Sequence, residues 1–182
     1  NLELHSRQTF GNFSLRQNEK LPKQDLRDLK NAFEAAREFA EHPRGWLLLT
    51  GPYGCGKTHL AAAIGNYQSA KGYPPLFIVV PDLLDHLRAA FAPNSGISLD
   101  KRFNEVRTAQ LLILDDLGTQ SATPWAREKL YQLFNYRYNA ELPTVITSSI
   151  MPDELDQRLY SRMSDRRLCR IQIITAPGFT GK

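Results

Sequence analysis

The chain is short of most features that would mark a secreted, metal-binding or membrane protein. Its 182 residues include only two cysteines, Cys55 and Cys169. These form neither a spaced metal pattern nor a disulfide framework, so the sequence predicts reduced thiols, a cytoplasmic protein and no zinc site. Long apolar runs are missing as well. The stretches 46–49 and 111–114 are strand-sized, against the roughly 20 residues a membrane helix needs, and no membrane contact is expected. There is no signal-peptide pattern, internal repeat or low-complexity tract. The chain opens on Asn1 rather than Met, and the expectation is that further chain lies upstream. Charge is not extreme either: a net +4 permits contact with nucleic acid without requiring it.

What is present suits one compact α/β domain, 42% hydrophobic. Residues 1–22 read as a polar arm anchored by Phe10 and Phe13, and residues 23–182 as the domain proper. Apolar residues at helical spacing predict a helix over 23–41, stopped by His42-Pro43. The pattern then alternates. Strands are expected at 46–50, 76–80, 110–115, 144–148 and 168–174, and helices at 57–71, 82–91, 99–107, 124–139 and 152–164, with a loop at 93–98. Short, continuously apolar strands joined by helix-length crossovers predict a five-stranded parallel sheet covered on both faces. Ligands are then expected at the C-terminal ends of the strands.

Two motifs fall at such ends. Gly51-Pro52-Tyr53-Gly54-Cys55-Gly56-Lys57-Thr58 matches the P-loop pattern between a predicted strand and a predicted helix. Glycines let backbone N–H groups curl around phosphate oxygens, Lys57 reaches the β and γ phosphates, and Thr58 ligates Mg²⁺. The expected ligands are therefore ATP and Mg²⁺, with His59 beside the loop. The run Leu111-Leu112-Ile113-Leu114-Asp115-Asp116 has the Walker B form. Asp115 is expected to hold Mg²⁺ and Asp116 to act as general base on the attacking water.

Beyond these motifs the chain resembles the AAA+ ATPases, specifically the DnaC/DnaI-type replicative helicase loaders and the related IstB-type transposition helper ATPases. The resemblance runs from about residue 10 to 174. It rests on Thr9-Phe10-Gly11-Asn12-Phe13, the P-loop, the stretch 80–91, Asp115-Asp116-Leu117-Gly118, the stretch 125–131, Arg137-Tyr138, the stretch 144–149 and the stretch 158–163. It implies a P-loop NTPase fold of AAA+ type, three-layer α/β/α, with the lid domain absent or abbreviated. It also implies an ATPase that self-associates, grips single-stranded DNA and acts on a replicative ring helicase, which an N-terminal domain upstream would contact. Position by position, it implies a polar sensor near Ser148 and Ser149, with Ser149 in the catalytic set, where the family commonly has asparagine. Arg162 takes the place of the arginine finger that enters a neighbouring subunit's site. Single-strand contacts map onto Thr123 and Trp125, and an inserted helix onto Lys101, Arg102 and Phe103.

Other readings stay open at this point. A transposition helper shares these motifs and acts on duplex DNA. A non-hydrolysing nucleotide switch is suggested by serines at the sensor. A small-molecule kinase would need a phosphoacceptor pocket and an arginine-bearing lid, neither of which is identifiable. For Phe103 and Trp125, ordinary core packing competes with base stacking.

Overall fold

The computed structural model describes residues 2–90, 99–118 and 123–179. Phe91, the loop expected at 93–98 and the terminal Lys182 lie outside the described residues. Five parallel strands form one sheet: β1 (Trp46–Thr50), β2 (Leu76–Val79), β3 (Leu112–Leu117), β4 (Thr144–Ser148) and β5 (Cys169–Ile173), in the order β2-β3-β4-β1-β5. Between them run α1 (Lys23–Glu41), α2 (Lys57–Ala70), α3 (Val80–Ala90), α4 (Leu99–Thr108), α5 (Pro124–Asn139) and α6 (Gln157–Met163).

Period-2 alternation divides the core into two halves. Leu47, Leu49, Ile113 and Val145 pack with α1 and α2 on one face, while Trp46, Leu48, Leu112, Leu114 and Ile146 pack with α3, α4, α5 and α6 on the other. Both faces are covered, so every residue of β1 and β4 is buried, the hydroxyl residues Thr50, Thr144, Thr147 and Ser148 included. This is the three-layer α/β/α arrangement the sequence predicts. The expected bounds of α1, β1, α5 and β4 agree with those found. α5 starts cleanly because Thr123 Oγ1 accepts from Ala126 N while Pro124 opens the first turn.

The arm adds a layer of its own. Phe10 and Phe13 both pack on Phe33 of α1, and Leu2, Phe10 and Phe13 join the core cluster that contains α2. Asn66 Nδ2 donates to the carbonyls of His5 and Gln8, tying the arm to the helix behind the P-loop.

The acidic strand differs from expectation. The sequence places Asp115 and Asp116 at the end of a strand spanning 110–115; β3 instead starts at Leu112 and runs through both aspartates to Leu117. Its register against β4 shifts between Leu114 and Leu117, and Asp116 has φ 63°. That is a bulge, which sequence periodicity does not announce.

Candidate nucleotide-binding site

β1 delivers the chain into the P-loop, and packing leaves no room for side chains at two of its turns. Gly51 has φ 150°, and a Cβ there would lie 2.2 Å from the carbonyl oxygen of Ile174. Gly56 has φ 108°, caps α2, and a Cβ on it would meet the Phe13 ring at 2.8 Å. The bare loop therefore faces the N-terminus of α2, whose unpaired N–H groups attract anions. Lys57 is 7% exposed, and its Nζ donates to the carbonyls of Gly51 and Pro52, both at 2.7 Å. A phosphate has to draw this ammonium off those two carbonyls. Cys55 Sγ lies 3.9 Å from the same Nζ, and burial pushes its thiol pKa up against the opposing pull of Lys57.

The acidic end is assembled from three elements. Thr58 Oγ1 of α2 donates to Asp115 Oδ1 at 2.9 Å, and Thr147 Oγ1 of β4 donates to the same oxygen at 2.6 Å. The amide of Asp116 donates back to Thr147 Oγ1 at 2.9 Å. In a regular pleat, consecutive aspartates would face opposite sides of the sheet. The bulge and the left-handed backbone of Asp116 bring this residue to the wall of the same cavity as Lys57, Thr58 and Thr147. Clustered hydroxyl and carboxylate oxygens are the donor set Mg²⁺ takes, completed by water and substrate phosphate. No group of three or more His, Cys, Asp or Glu able to hold a metal occurs among the described residues.

The cavity, about 400 Å³, continues away from these groups to the arm, where Gln8, Asn12, Phe13, Ser14 and Arg16 line it, and to Phe179 beyond β5. His59 Nε2 lies 2.9 Å from the carbonyl of Thr9 and 3.1 Å from Asn12 Oδ1. Both are acceptors, so this nitrogen carries the proton. The Phe13 ring stands edge-on to the imidazole at 5.2 Å. His59 is thus the pin that holds the arm against the P-loop helix.

The family model for the IstB-like ATP binding proteins matches residues 2–173 of this chain, arm, P-loop and acidic strand included. The chain belongs to the IstB-like ATP binding protein family. It is 33% identical over 122 residues to the replicative helicase loader DnaI of Bacillus subtilis, covering 66% of this chain and 38% of that protein. It is 30% identical over 139 residues to the replicative helicase loader DnaC of Escherichia coli K12, covering 75% and 56%. This member of the IstB-like family therefore spans roughly half or less of those relatives. A crystal structure of the DnaC helicase loader superimposes with a TM-score of 0.77 at 22% identity, covering 95% of this chain and 99% of that one. The replication initiator DnaA bound to AMPPCP and single-stranded DNA gives 0.76 at 21%, covering 94% and 50%. These likenesses bear out the resemblance to helicase loaders and the AAA+ type of P-loop fold.

Within this IstB-like domain the remaining expected residues are scattered. Ser149 is half-buried at the rim and donates to the Tyr53 hydroxyl at 3.1 Å. Ser148 is buried with its hydroxyl against the carbonyls of Leu117 and Ile150. The polar side chain of β4 that touches Asp115 is Thr147, which no motif singles out. It is one of three hydroxyl residues in this buried strand, with Thr144 and Ser148, and the sequence does not say which of the three meets the acidic strand. Arg162 is held by its own chain: Nη1 donates to the Arg158 carbonyl at 2.8 Å, Nη2 reaches Asn135 Oδ1 and the Tyr131 hydroxyl, and the guanidinium lies 4.7 Å from the Tyr131 ring. Arg166, three residues past α6, is exposed beside β5.

Of the residues expected to contact DNA, Lys101 and Arg102 are exposed. Phe103 is 8% exposed within the core cluster, with Lys129 Nζ 5.2 Å from its ring. Core packing therefore takes Phe103, which offers no face to a base. Trp125 is half-buried with the Arg88 guanidinium 5.6 Å from its ring. Thr123 caps α5. No helix among the described residues is long and apolar enough to cross a membrane.

Proposed function

We propose that this domain binds Mg²⁺-ATP, hydrolyses it, and couples that cycle to self-association on single-stranded DNA and to loading of a replicative ring helicase. The observation that carries the reading is the junction of Thr58, Asp115 and Thr147 beside Lys57, which joins P-loop and acidic strand into one cavity. Thr58 Oγ1 and Asp115 would hold Mg²⁺, which neutralises phosphate charge. Lys57 exchanges its two loop carbonyls for phosphate oxygens, and the Asp116 carboxylate takes the proton of the attacking water. Thr147 fixes both aspartates through one hydroxyl. The names of the curated relatives support the loader role, and we assign the helicase contact to chain upstream of the matched region.

The trans-acting cation is better assigned to Arg166 than to Arg162. Arg162 commits Nη1 and Nη2 to its own helix and to α5, leaving only a buried Nε, whereas Arg166 is exposed and among the described residues has no partner. Lys57→Ala should abolish binding of a fluorescent ATP analogue, and Asp116→Asn should bind ATP yet release phosphate far more slowly. Unchanged affinity in the first variant would remove the P-loop from the mechanism. Mixing Arg166→Ala with Lys57→Ala subunits should restore part of the DNA-stimulated phosphate release, since an intact pocket then meets an intact arginine. A mixture as inactive as either variant would refute the assignment. Stimulation by duplex rather than single-stranded DNA would favour a transposition helper.

A further inference from the structure

Beyond β5 the chain turns back over the P-loop. Ile174 N donates to the Thr50 carbonyl at 2.8 Å, and Ile174 and Ala176 are fully buried against α1 and α2. Thr175 Oγ1 sits 2.6 Å from Asp25 Oδ1 and 2.8 Å from Asp28 Oδ2. Arg16 Nη1 donates to the Pro177 carbonyl, and Phe179 N donates to the Gly54 carbonyl at 2.9 Å. At Gly178 a Cβ would lie 2.9 Å from the Tyr53 carbonyl oxygen. The strap is thus seated on the loop by its backbone, and it presents one large side chain. Phe179 is 51% exposed at the wall of the cavity, at the end where Phe13, Ser14 and Arg16 of the arm also stand.

Resting on the nucleotide reading above, we propose that Phe179 is the stacking face for the base of the bound nucleotide, and that the strap thereby favours purines. Phosphate is drawn to the other end of the cavity by Lys57 and the α2 N-terminus, so the base extends toward arm and strap. Arg16 does not read the base edge. Its Nε and Nη2 go to Glu19 Oε2 at 2.9 and 2.7 Å, and its Nη1 goes to Pro177. Buried at 8% exposure, with its guanidinium 5.7 Å from the Phe179 ring, Arg16 is a positioning residue that holds the ring in place. An aromatic face discriminates by overlap area rather than by hydrogen bonding. Phe179 therefore contributes more to purine than to pyrimidine nucleotides, and about equally to adenine and guanine.

The test compares Mg²⁺-ATP, Mg²⁺-GTP, Mg²⁺-CTP and Mg²⁺-tripolyphosphate binding to wild type and Phe179→Ala. The bond that seats the strap is made by the backbone of this half-exposed residue, so truncation leaves the loop covered. The expected result is a loss of about tenfold in ATP and GTP affinity, a smaller loss for CTP, and none for tripolyphosphate. Phe179→Trp should restore ATP affinity and show indole quenching by ATP but not by tripolyphosphate. Equal losses for ATP and tripolyphosphate, or no loss for either, would overturn the proposal. Failure of wild type to bind ATP and tripolyphosphate alike would overturn the nucleotide reading itself, and this assignment with it.

Discussion

Replacing Thr147 by valine keeps the shape of a buried β-branched side chain in β4 and removes one hydroxyl. That hydroxyl donates to a carboxylate oxygen of Asp115 at 2.6 Å and accepts from the amide of Asp116 at 2.9 Å. A hydrogen bond to a charged group contributes about 1.5–3 kcal/mol, and an amide left without a partner costs about 1 kcal/mol more. Thr147→Val should therefore lose about 2.5–4 kcal/mol, which for a domain of this size lowers Tm by about 5–15 °C. Thr58 still bonds Asp115, so the carboxylate stays in the site, but Asp116 loses the contact that fixes its left-handed backbone. Misplacement of a catalytic group by about 1 Å costs on the order of a hundredfold in rate. Turnover should fall roughly ten- to a hundredfold by the same principle, with ATP affinity little changed. Urea unfolding followed by tryptophan emission measures the first quantity and phosphate release at saturating Mg²⁺-ATP the second. Thr147→Ser, which keeps the hydroxyl, should recover most of both. A valine variant within about 0.5 kcal/mol of wild type that turns over normally would refute the role given to Thr147.

Arg137 carries no solvent exposure, yet it bonds Thr144 Oγ1 at 2.9 Å and the carbonyls of Arg107, Ala109 and Pro143 at 3.1, 2.8 and 2.7 Å. Burial lowers its pKa to about 10. Arg137→Met orphans the carbonyls that end α4 and should cost about 3–5 kcal/mol by urea titration. A single ammonium cannot span these acceptors, so Arg137→Lys should not rescue. A loss under about 1 kcal/mol would show that water replaces the guanidinium. Cys55 and Cys169 are buried, and burial pushes both thiols up, Cys169 to about 12. Because the thiolate is the reactive form, Ellman's reagent at mildly alkaline pH should label the native chain slowly and both thiols promptly in guanidinium. Prompt native labelling of Cys55 would mean that the P-loop opens.

The elements and the grouping of the P-loop residues were legible in the sequence. Helical spacing with Pro and Gly punctuation is local, so the bounds of α1 and α5 agree with expectation, and the P-loop is a contiguous segment whose chemistry is written in order. What joins distant segments was decided by the tertiary structure. Thr147 reaches Asp115 because β3 and β4 are neighbours in a particular register, and Asp116 reaches the cavity because that register slips. The arm and the strap meet over the P-loop only because α1 and α2 pack side by side beneath them. For Phe103 the sequence left core packing and base stacking open and the core takes it, while Arg162, expected from its place in the family resemblance, is held by α5. Periodicity shows which face of an element is apolar; which neighbour covers that face depends on packing between residues far apart in the chain.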